Sequence, residues 1–329
     1  MVEVHKSKMS LNGIQQPPYN RNKSIGRQFL EVAQIIGDVC LLFLYLLYSL
    51  GDAIYRYVVP PTPKSVKGEI VLITGAGHGM GKELAFLYAS KGATVVGWDV
   101  NKKNNEETIS EINQRGYPHA YAYYCDVSKR DSVFEVAKKV QQEVGDVTIL
   151  INNAGIMPTH PILDQTQEEI ERTFSINVLA HCWTMQAFLP AMKKNNRGHI
   201  VALSSCAGLF GLENLVPYCG SKFAVRGMME ALHEELRLEK LDRIELTTVC
   251  PYMVDTGLCK RPRVRFDRFM RLLTPEYAAK AIMKAQQTNM KLVTVPNYML
   301  SLTNYVRLFP LKGAIYVKDF INAGLESDL

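Results

Sequence analysis

Between residues 70 and 295, short apolar runs alternate with longer stretches whose apolar positions recur every three or four residues. The short runs have the length of strands buried on both faces, and the longer stretches have the period of amphipathic helices. Strands are predicted at 70–74, 93–98, 119–124, 147–151, 199–203, 244–249 and 291–295, and helices at 79–90, 105–115, 130–144, 167–193, 216–240 and 275–287. This alternation predicts an α/β fold, a doubly wound parallel sheet covered on both faces.

The two ends of the chain depart from this pattern. Residues 1–27 are polar and irregular and predict a flexible leader, 28–59 predict a hydrophobic membrane anchor, and 60–67 a proline-rich linker. A single catalytic domain is expected at 68–296, followed by an amphipathic tail at 297–329. The apolar run 32–50 is just long enough, at about 1.5 Å per residue, to cross about 30 Å of hydrocarbon. Basic residues flank both sides of the anchor, so a spanning helix and a one-leaflet hairpin both stay open.

Composition narrows the possible classes of protein. The seven cysteines are widely spaced without a Cys-x-x-Cys pair, and the histidines lack His-x-x-x-His spacing, so we expect neither disulfides nor a metal site. The net charge of +6 comes from scattered Lys and Arg, which is not the pattern of a nucleic-acid-binding surface. A mildly basic surface suits anionic lipid headgroups.

A glycine-rich turn joins the first strand to the first helix. Its residues are Gly75, Gly77, His78, Gly79, Met80 and Gly81. Glycines in a strand–turn–helix setting let backbone N–H groups approach a pyrophosphate at the helix N-terminus, which indicates a Rossmann-type dinucleotide site. Asp99 ends the second strand, where a carboxylate accepts from both ribose hydroxyls and repels a 2′-phosphate. NAD is therefore expected in preference to NADP.

The third and fourth strands end in residues that suit the rest of a dinucleotide. Asp126, with Val127 beside it, is placed to meet the adenine. Asn153, Ala154 and Gly155 follow the fourth strand, where small residues and amides would let the cofactor lie flat across the sheet edge.

Tyr218 and Lys222 are four residues apart on a predicted helix and therefore share one face. A phenol has a pKa near about 10, and a neighbouring cation favours the phenolate, so the pair could form a general base. A half-buried aromatic beside a solvated lysine is the commoner meaning of this spacing. The pair gains force from Ser205, just after the fifth strand, and Asn177, in the helix before it.

Taken together, these residues resemble the short-chain dehydrogenase/reductase family over about residues 64–296. The matching motifs are Thr-Gly-x-x-x-Gly-x-Gly at 74–81, Asn-Asn-Ala-Gly at 152–155, Asn177, Ser205 and Tyr-x-x-x-Lys at 218–222. Further stretches, among them Trp-Asp-Val-Asn at 98–101 and Cys-Pro-Tyr at 250–252, resemble a membrane-bound branch. That branch contains the epidermal retinol dehydrogenases and the lipid-droplet 17β-hydroxysteroid dehydrogenases.

The resemblance implies a role for each residue of the reacting site. Tyr218 would be the general base, Ser205 would hold the substrate oxygen, and Lys222 would bind the nicotinamide ribose and lower the Tyr218 pKa. Asn177 would anchor a water of a proton relay. Pro251, Val254 and Thr256 would close over the nicotinamide carboxamide, with Tyr252 where many relatives have Gly.

The implied function is a membrane-anchored oxidoreductase that transfers a hydride between NAD and a lipophilic alcohol. All-trans-retinol is expected first, then a 17β-hydroxysteroid or a long-chain alcohol; an NADPH-dependent carbonyl reductase and a silent lipid-droplet scaffold are the alternatives. The expected location is the endoplasmic reticulum membrane or a lipid droplet, with the catalytic domain facing the cytosol, as a homodimer. Residues 209–216, 258–273 and the tail are candidates for the pocket wall, and the tail could instead pack on a membrane or a partner subunit.

Overall fold

The structure is a computed structural model that describes residues 25–266 and 270–328. The chain divides into two units, Met1–Pro61 and Thr62–Leu329. The described part of the first unit is mainly one 34-residue helix, α1 (Ile25–Val58). Within it, Phe29–Arg56 is long and apolar enough to cross a membrane. Residues 1–24, most of the predicted leader, lie outside the described residues, as do residues 267–269.

The second unit contains a seven-stranded parallel sheet within its described residues. Its strands are β1 (Ile70–Thr74), β2 (Thr94–Asp99), β3 (Tyr121–Tyr124), β4 (Ile149–Asn152), β5 (Gly198–Leu203), β6 (Ile244–Pro251) and β8 (Leu292–Val295). They lie in the order β3-β2-β1-β4-β5-β6-β8. The chain therefore winds outward from β1 in one direction, returns, and winds outward from β4 in the other. The carboxyl ends of β1 and β4 border the crevice that such a switch point creates.

Helices cover both faces of the sheet. One face carries α2 (Gly79–Ser90), α3 (Lys102–Gln114) and α8 (Pro275–Gln287), whose apolar residues form one core cluster with the sheet. The other face carries α4 (Arg130–Glu143), α6 (Ala180–Asn195) and α7 (Val216–Leu238), preceded by α5 (Gln167–Phe174). Polar caps fix several helix starts, including a capping box at Thr166 and Glu169. The expected Rossmann-type α/β fold is confirmed.

The predicted helix 167–193 is interrupted. Between α5 and α6, Ser175–Leu179 form a π-helical turn, although the apolar period runs through it unbroken. The cause is tertiary, because the Asn177 side chain hydrogen bonds with both backbone groups of Ile156, a residue of another loop. Such π-turns are often found at functional sites. The other predicted elements differ from the structure by a few residues at their ends.

The C-terminal tail folds onto the second unit. It contains α9 (Tyr298–Val306), α10 (Leu311–Ile321) and β9 (Gly324–Leu325), which pairs antiparallel with β7 (Pro262–Arg263). Arg307 donates to the Leu209 carbonyl and Lys318 to the Gly211 carbonyl, so both helices are attached to the loop before α7.

The end of the predicted linker is bound to the opposite, amino-terminal edge of the sheet. Lys64 exchanges backbone and side-chain hydrogen bonds with Gln287, and its ammonium lies 2.9 Å from His199 Nδ1. His199 Nε2 lies 2.8 Å from the Thr247 hydroxyl. Burial, with the Lys64 and Lys291 charges, holds the pKa of His199 well below its usual value. Residues 64–67 are therefore part of the folded unit.

Candidate active site

The glycine turn between β1 and α2 leaves no room for a side chain at its centre. Gly75 has a φ of +71°, and a Cβ on Gly81 would lie 1.9 Å from the Gly75 carbonyl oxygen. A Cβ on Gly79 would lie 3.0 Å from the Thr256 side chain, which brings the start of α2 next to the 251–256 segment. Backbone N–H groups at a helix start, with no Cβ in the way, suit a pyrophosphate.

Asp99 is held at the end of β2, facing this turn. Its Oδ2 accepts from the Gly77 N–H at 2.9 Å and its Oδ1 from the Asn101 N–H at 2.8 Å. Each oxygen retains lone pairs for a ligand hydroxyl. At the end of β3, burial would raise the pKa of Asp126, but hydrogen bonds from Ser128 and the charge of Lys129 outweigh it and lower that pKa. Val127, beside it, is buried.

The ends of β1 and β4 are joined through Thr74, which the sequence reading did not single out. Its hydroxyl accepts from the backbone N–H groups of Asn153 and Ala154, each at 3.0 Å. The Asn153 amide donates to the Thr74 carbonyl at 2.9 Å. These bonds hold the Asn-Ala-Gly loop against the glycine turn. The signal available from sequence was its position, a hydroxyl directly before the first glycine.

Tyr218 and Lys222 lie on one face of α7 and are both buried. The Lys222 ammonium lies 5.7 Å from the centroid of the Tyr218 ring and donates to the Leu203 carbonyl at 2.8 Å. Burial lowers the pKa of Lys222 to about 8. This lysine can therefore exchange its proton near neutral pH.

Ser205 follows β5 and hydrogen bonds with Tyr218. Burial raises the pKa of the Tyr218 phenol well above its usual value, and the Ser205 hydrogen bond is the interaction that opposes the rise. Lys222 is not among the described groups that shift this pKa, so the expected lowering by Lys222 is not found in the protein alone. The phenolate needs a further positive charge nearby.

Asn177 is fully buried in the π-turn between α5 and α6. Its Oδ1 accepts from the Ile156 N–H at 2.9 Å, and its Nδ2 donates to the Ile156 carbonyl at 2.9 Å and to the Ser221 hydroxyl at 3.1 Å. Asn177 thus links the Asn-Ala-Gly loop to the helix that carries Tyr218 and Lys222.

A cavity of about 450 Å³ opens where these groups meet. Its polar end is formed by Asn153, Gly155, Ser205, Tyr218 and Lys222, together with Met80, Pro251, Val254 and Thr256. The turn glycines, His78, Asp99, Asp126, Val127 and Ala154 do not line the cavity and belong to the adjoining edge of β1, β2 and β3. Asn177 lies behind the Gly155 wall.

The remainder of the cavity wall is apolar and comes from three separate parts of the chain. The lining residues include Phe210, Leu212 and Leu215 from the loop before α7, Leu258, Cys259 and Met270 from the 258–273 segment, and Met299, Leu302, Val306, Leu311 and Ile315 from the tail. Leu209 and Val216 do not line it; Leu209 is buried beneath and Val216 is exposed. Tyr305, Leu308, Tyr316 and Phe320 point to solvent.

A phosphate-binding glycine turn, a strand-end carboxylate and a buried Tyr–Lys–Ser group around one cavity define a nicotinamide-dependent oxidoreductase that acts on CH–OH groups. Residues 69–264 match the family model described as short chain dehydrogenase. The chain belongs to the short-chain dehydrogenase family.

Similar proteins and structures agree with this assignment. Short-chain dehydrogenase/reductase family 16C member 6 of Bos taurus is 43% identical over 76% of this chain and 79% of its own. Epidermal retinol dehydrogenase 2 of Homo sapiens is 40% identical over 85% and 92%, and human retinol dehydrogenase 10 is 37% identical over 88% and 92%. A short-chain dehydrogenase/reductase from Burkholderia phymatum in complex with NAD superposes with a TM-score of 0.67 at 24% identity, covering 73% of this chain and 93% of its own.

Proposed function

We propose that this chain is a membrane-associated, NAD-preferring dehydrogenase that interconverts the hydroxyl and carbonyl forms of a lipophilic alcohol, with all-trans-retinol as the first candidate. The observation that carries the proposal is the cavity. It has Tyr218 and Ser205 at one end and an apolar wall over the rest. Its volume of about 450 Å³ lies within the range of about 300–1,000 Å³ usual for small-molecule sites.

The arrangement of the strand ends supports a role for each cofactor residue. The Gly75–Gly81 turn would hold the pyrophosphate, Asp99 the adenosine ribose, and Asp126 with Val127 the adenine. Asn153, Ala154, Gly155 and Lys222 would hold the nicotinamide riboside, with Pro251, Val254 and Thr256 over the carboxamide. The bound nicotinamide supplies the hydride acceptor and, when oxidised, a positive charge.

In this proposal the protein's own groups move the proton. Ser205 Oγ orients the substrate oxygen, and the Tyr218 phenolate removes the hydroxyl proton as the carbon is oxidised. Because burial raises the Tyr218 pKa, the phenolate forms readily only with positive charge beside it. Lys222, with a pKa of about 8, then takes part in carrying the proton away.

The Asp99 geometry favours NAD. A carboxylate fixed by the Gly77 and Asn101 N–H groups can accept from ribose hydroxyls and would repel a 2′-phosphate. One structural relative, a gluconate 5-dehydrogenase of Beutenbergia cavernae, is described as NAD(P) dependent with bound NADP, so the choice of cofactor needs direct measurement.

The mouth of the cavity supports a membrane-derived substrate. Leu311 and Ile315 both line the cavity and are exposed, and Leu308, Tyr316 and Phe320 continue this apolar rim outward. An exposed apolar surface on a chain that also has a hydrophobic helix such as α1 suits a lipid surface. Two relatives named as retinol dehydrogenases support retinol as the alcohol. We place the enzyme on the endoplasmic reticulum membrane or a lipid droplet, with the catalytic domain cytosolic.

A homodimer is the proposed assembly. Phe174, Leu179 and Phe223 are exposed apolar residues on or beside α5 and α7. These helices are where the family suggests that subunits meet. A matching face on a second copy would cover all three side chains.

The test is a turnover panel of retinol, estradiol and a long-chain alcohol, each with NAD and NADP, on full-length protein in liposomes. The proposal expects NAD-dependent oxidation of retinol that Tyr218→Phe abolishes while cofactor binding persists. Preferential carbonyl reduction with NADPH would favour the reductase alternative. A protein that binds droplets but turns over none of these alcohols would favour the scaffold alternative.

A further inference from the structure

One buried polar cluster behind the catalytic residues has unused hydrogen-bonding capacity. His181, on the first turn of α6, is 2% exposed, and neither of its ring nitrogens has a hydrogen-bond partner among the described residues. Asn152, at the end of β4, is also 2% exposed, and its Nδ2 likewise has no partner there. Buried polar groups in native proteins are nearly always hydrogen-bonded to protein or to ordered water.

The two side chains are joined through α6. The Thr184 hydroxyl donates to Asn152 Oδ1 at 2.8 Å and lies 3.1 Å from the backbone oxygen of His181. This bond occupies Asn152 Oδ1 and leaves the amide N–H groups as donors. His181 follows Asn177 by four residues, directly after the π-turn, and is close enough to Lys222 for the lysine charge to affect it.

The ionisation state of His181 fits a water ligand. Burial, and secondarily the Lys222 charge, lower the pKa of His181 to about 3. The ring is therefore neutral at physiological pH, with one nitrogen as a donor and the other as an acceptor. A water molecule can satisfy either nitrogen and also accept from the Asn152 amide, which no neighbouring protein group does.

We infer that His181 and Asn152 hold an ordered water behind Asn177 and Lys222, and that this water, with the His181 ring, continues the path by which the reaction's proton leaves Lys222. The inference rests on the proposed function. The proton balance is simple. One ring nitrogen accepts a proton from the lysine side while the other releases one to water, so the ring is neutral before and after and one proton has moved. His181 is a positioning and relay residue that does not touch the substrate.

The test compares His181→Phe, which removes both nitrogens but keeps an aromatic ring, with His181→Gln, which keeps a donor and an acceptor. His199→Phe is the matched control, because His199 is equally buried but its nitrogens face protein groups at the opposite edge of the sheet. The measurements are kcat and KM for the oxidised alcohol at saturating cofactor, the solvent deuterium isotope effect on kcat, and Tm.

We expect His181→Phe to lower kcat by about tenfold or more, within the usual contribution of acid–base groups, with KM unchanged and a larger solvent isotope effect. His181→Gln should restore most of the rate. His199→Phe should lower Tm and leave the isotope effect unchanged. Wild-type kcat and isotope effect in His181→Phe would overturn the inference. Equal losses in both His181 variants, following Tm as in His199→Phe, would also overturn it, because they would show a purely structural role.

A crystal structure of the wild-type protein gives a test that is independent of turnover and of variant folding. A water within about 3.2 Å of a His181 ring nitrogen and of Asn152 Nδ2 is expected. A dry site would refute the inference. If the wild-type protein oxidises no alcohol in the panel, the proposed function fails, and the water site is still decided by this structure.

Discussion

Gly81→Ala tests whether the turn between β1 and α2 is the steric cradle described above. A Cβ at this position would lie 1.9 Å from the Gly75 oxygen, 2.7 Å from the Gly75 carbonyl carbon and 2.8 Å from Asn153 Nδ2. The first distance is about 1.5 Å short of ordinary contact, which begins near 3.4 Å. Two of these three atoms are backbone, so no side-chain rotation can relieve the clash. The start of α2 must move away from the turn.

Overpacking of this kind costs about 1–3 kcal/mol of unfolding free energy. For a unit of this size, that loss lowers Tm by about 2–10 °C. The same movement separates the α2 N–H groups from the pyrophosphate position, so NAD affinity should fall about tenfold or more, because tenfold corresponds to about 1.4 kcal/mol.

The matched control is Gly227→Ala, in the middle of α7. A Cβ there meets nothing within 4 Å, and alanine in a helix interior stabilises by about 0.5–1 kcal/mol relative to glycine. Tm would be measured by differential scanning calorimetry and NAD affinity by fluorescence titration, both on full-length protein in detergent. If Gly81→Ala matched Gly227→Ala in both measurements, the cradle would be an incorrect reading of this turn.

Three further substitutions probe other parts of the site. Asp99→Ala should lower the NAD/NADP ratio of kcat/KM about 10–100-fold, because a hydrogen bond to a charged group contributes about 1.5–3 kcal/mol; an unchanged ratio contradicts the assigned role. Ser205 opposes the rise in the Tyr218 pKa, so Ser205→Ala should raise that pKa further and move the rising limb of oxidative kcat/KM about 1–2 pH units toward higher pH; a limb that stays in place, or moves down, refutes this reasoning. Arg307→Met removes the bond to the Leu209 carbonyl and should raise KM for a long alcohol about fivefold, the effect of about 1 kcal/mol, without changing KM for a short one, whereas Lys312→Met on the exposed side of α10 should change neither.

The sheet and the glycine turn were predictable from sequence because local information determines them. A buried strand such as β1 is a continuous apolar run, and Gly75 to Gly81 carry their backbone requirement in their own identity. The π-turn was not predictable. The apolar period across 167–193 is that of one helix, and the turn depends on hydrogen bonds between Asn177 and Ile156, which are 21 residues apart. His181 gave no signal because a lone histidine on a helix face usually belongs to the core.

The apolar wall of the cavity shows why the substrate is harder to predict than the reaction. Tyr218, Lys222 and Ser205 lie within 18 residues of one another on α7 and at the end of β5, so their spacing in sequence largely determines their geometry. Phe210, Leu258 and Met299 meet across the cavity from segments up to about 90 residues apart, and α9 and α10 reach it only because Arg307 and Lys318 bind the 209–211 loop. A change in these contacts alters the size of the cavity and leaves the reacting groups in place. Relatives that share the catalytic motif can therefore act on different alcohols, and the tail helices are where substitutions should change substrate preference without loss of turnover.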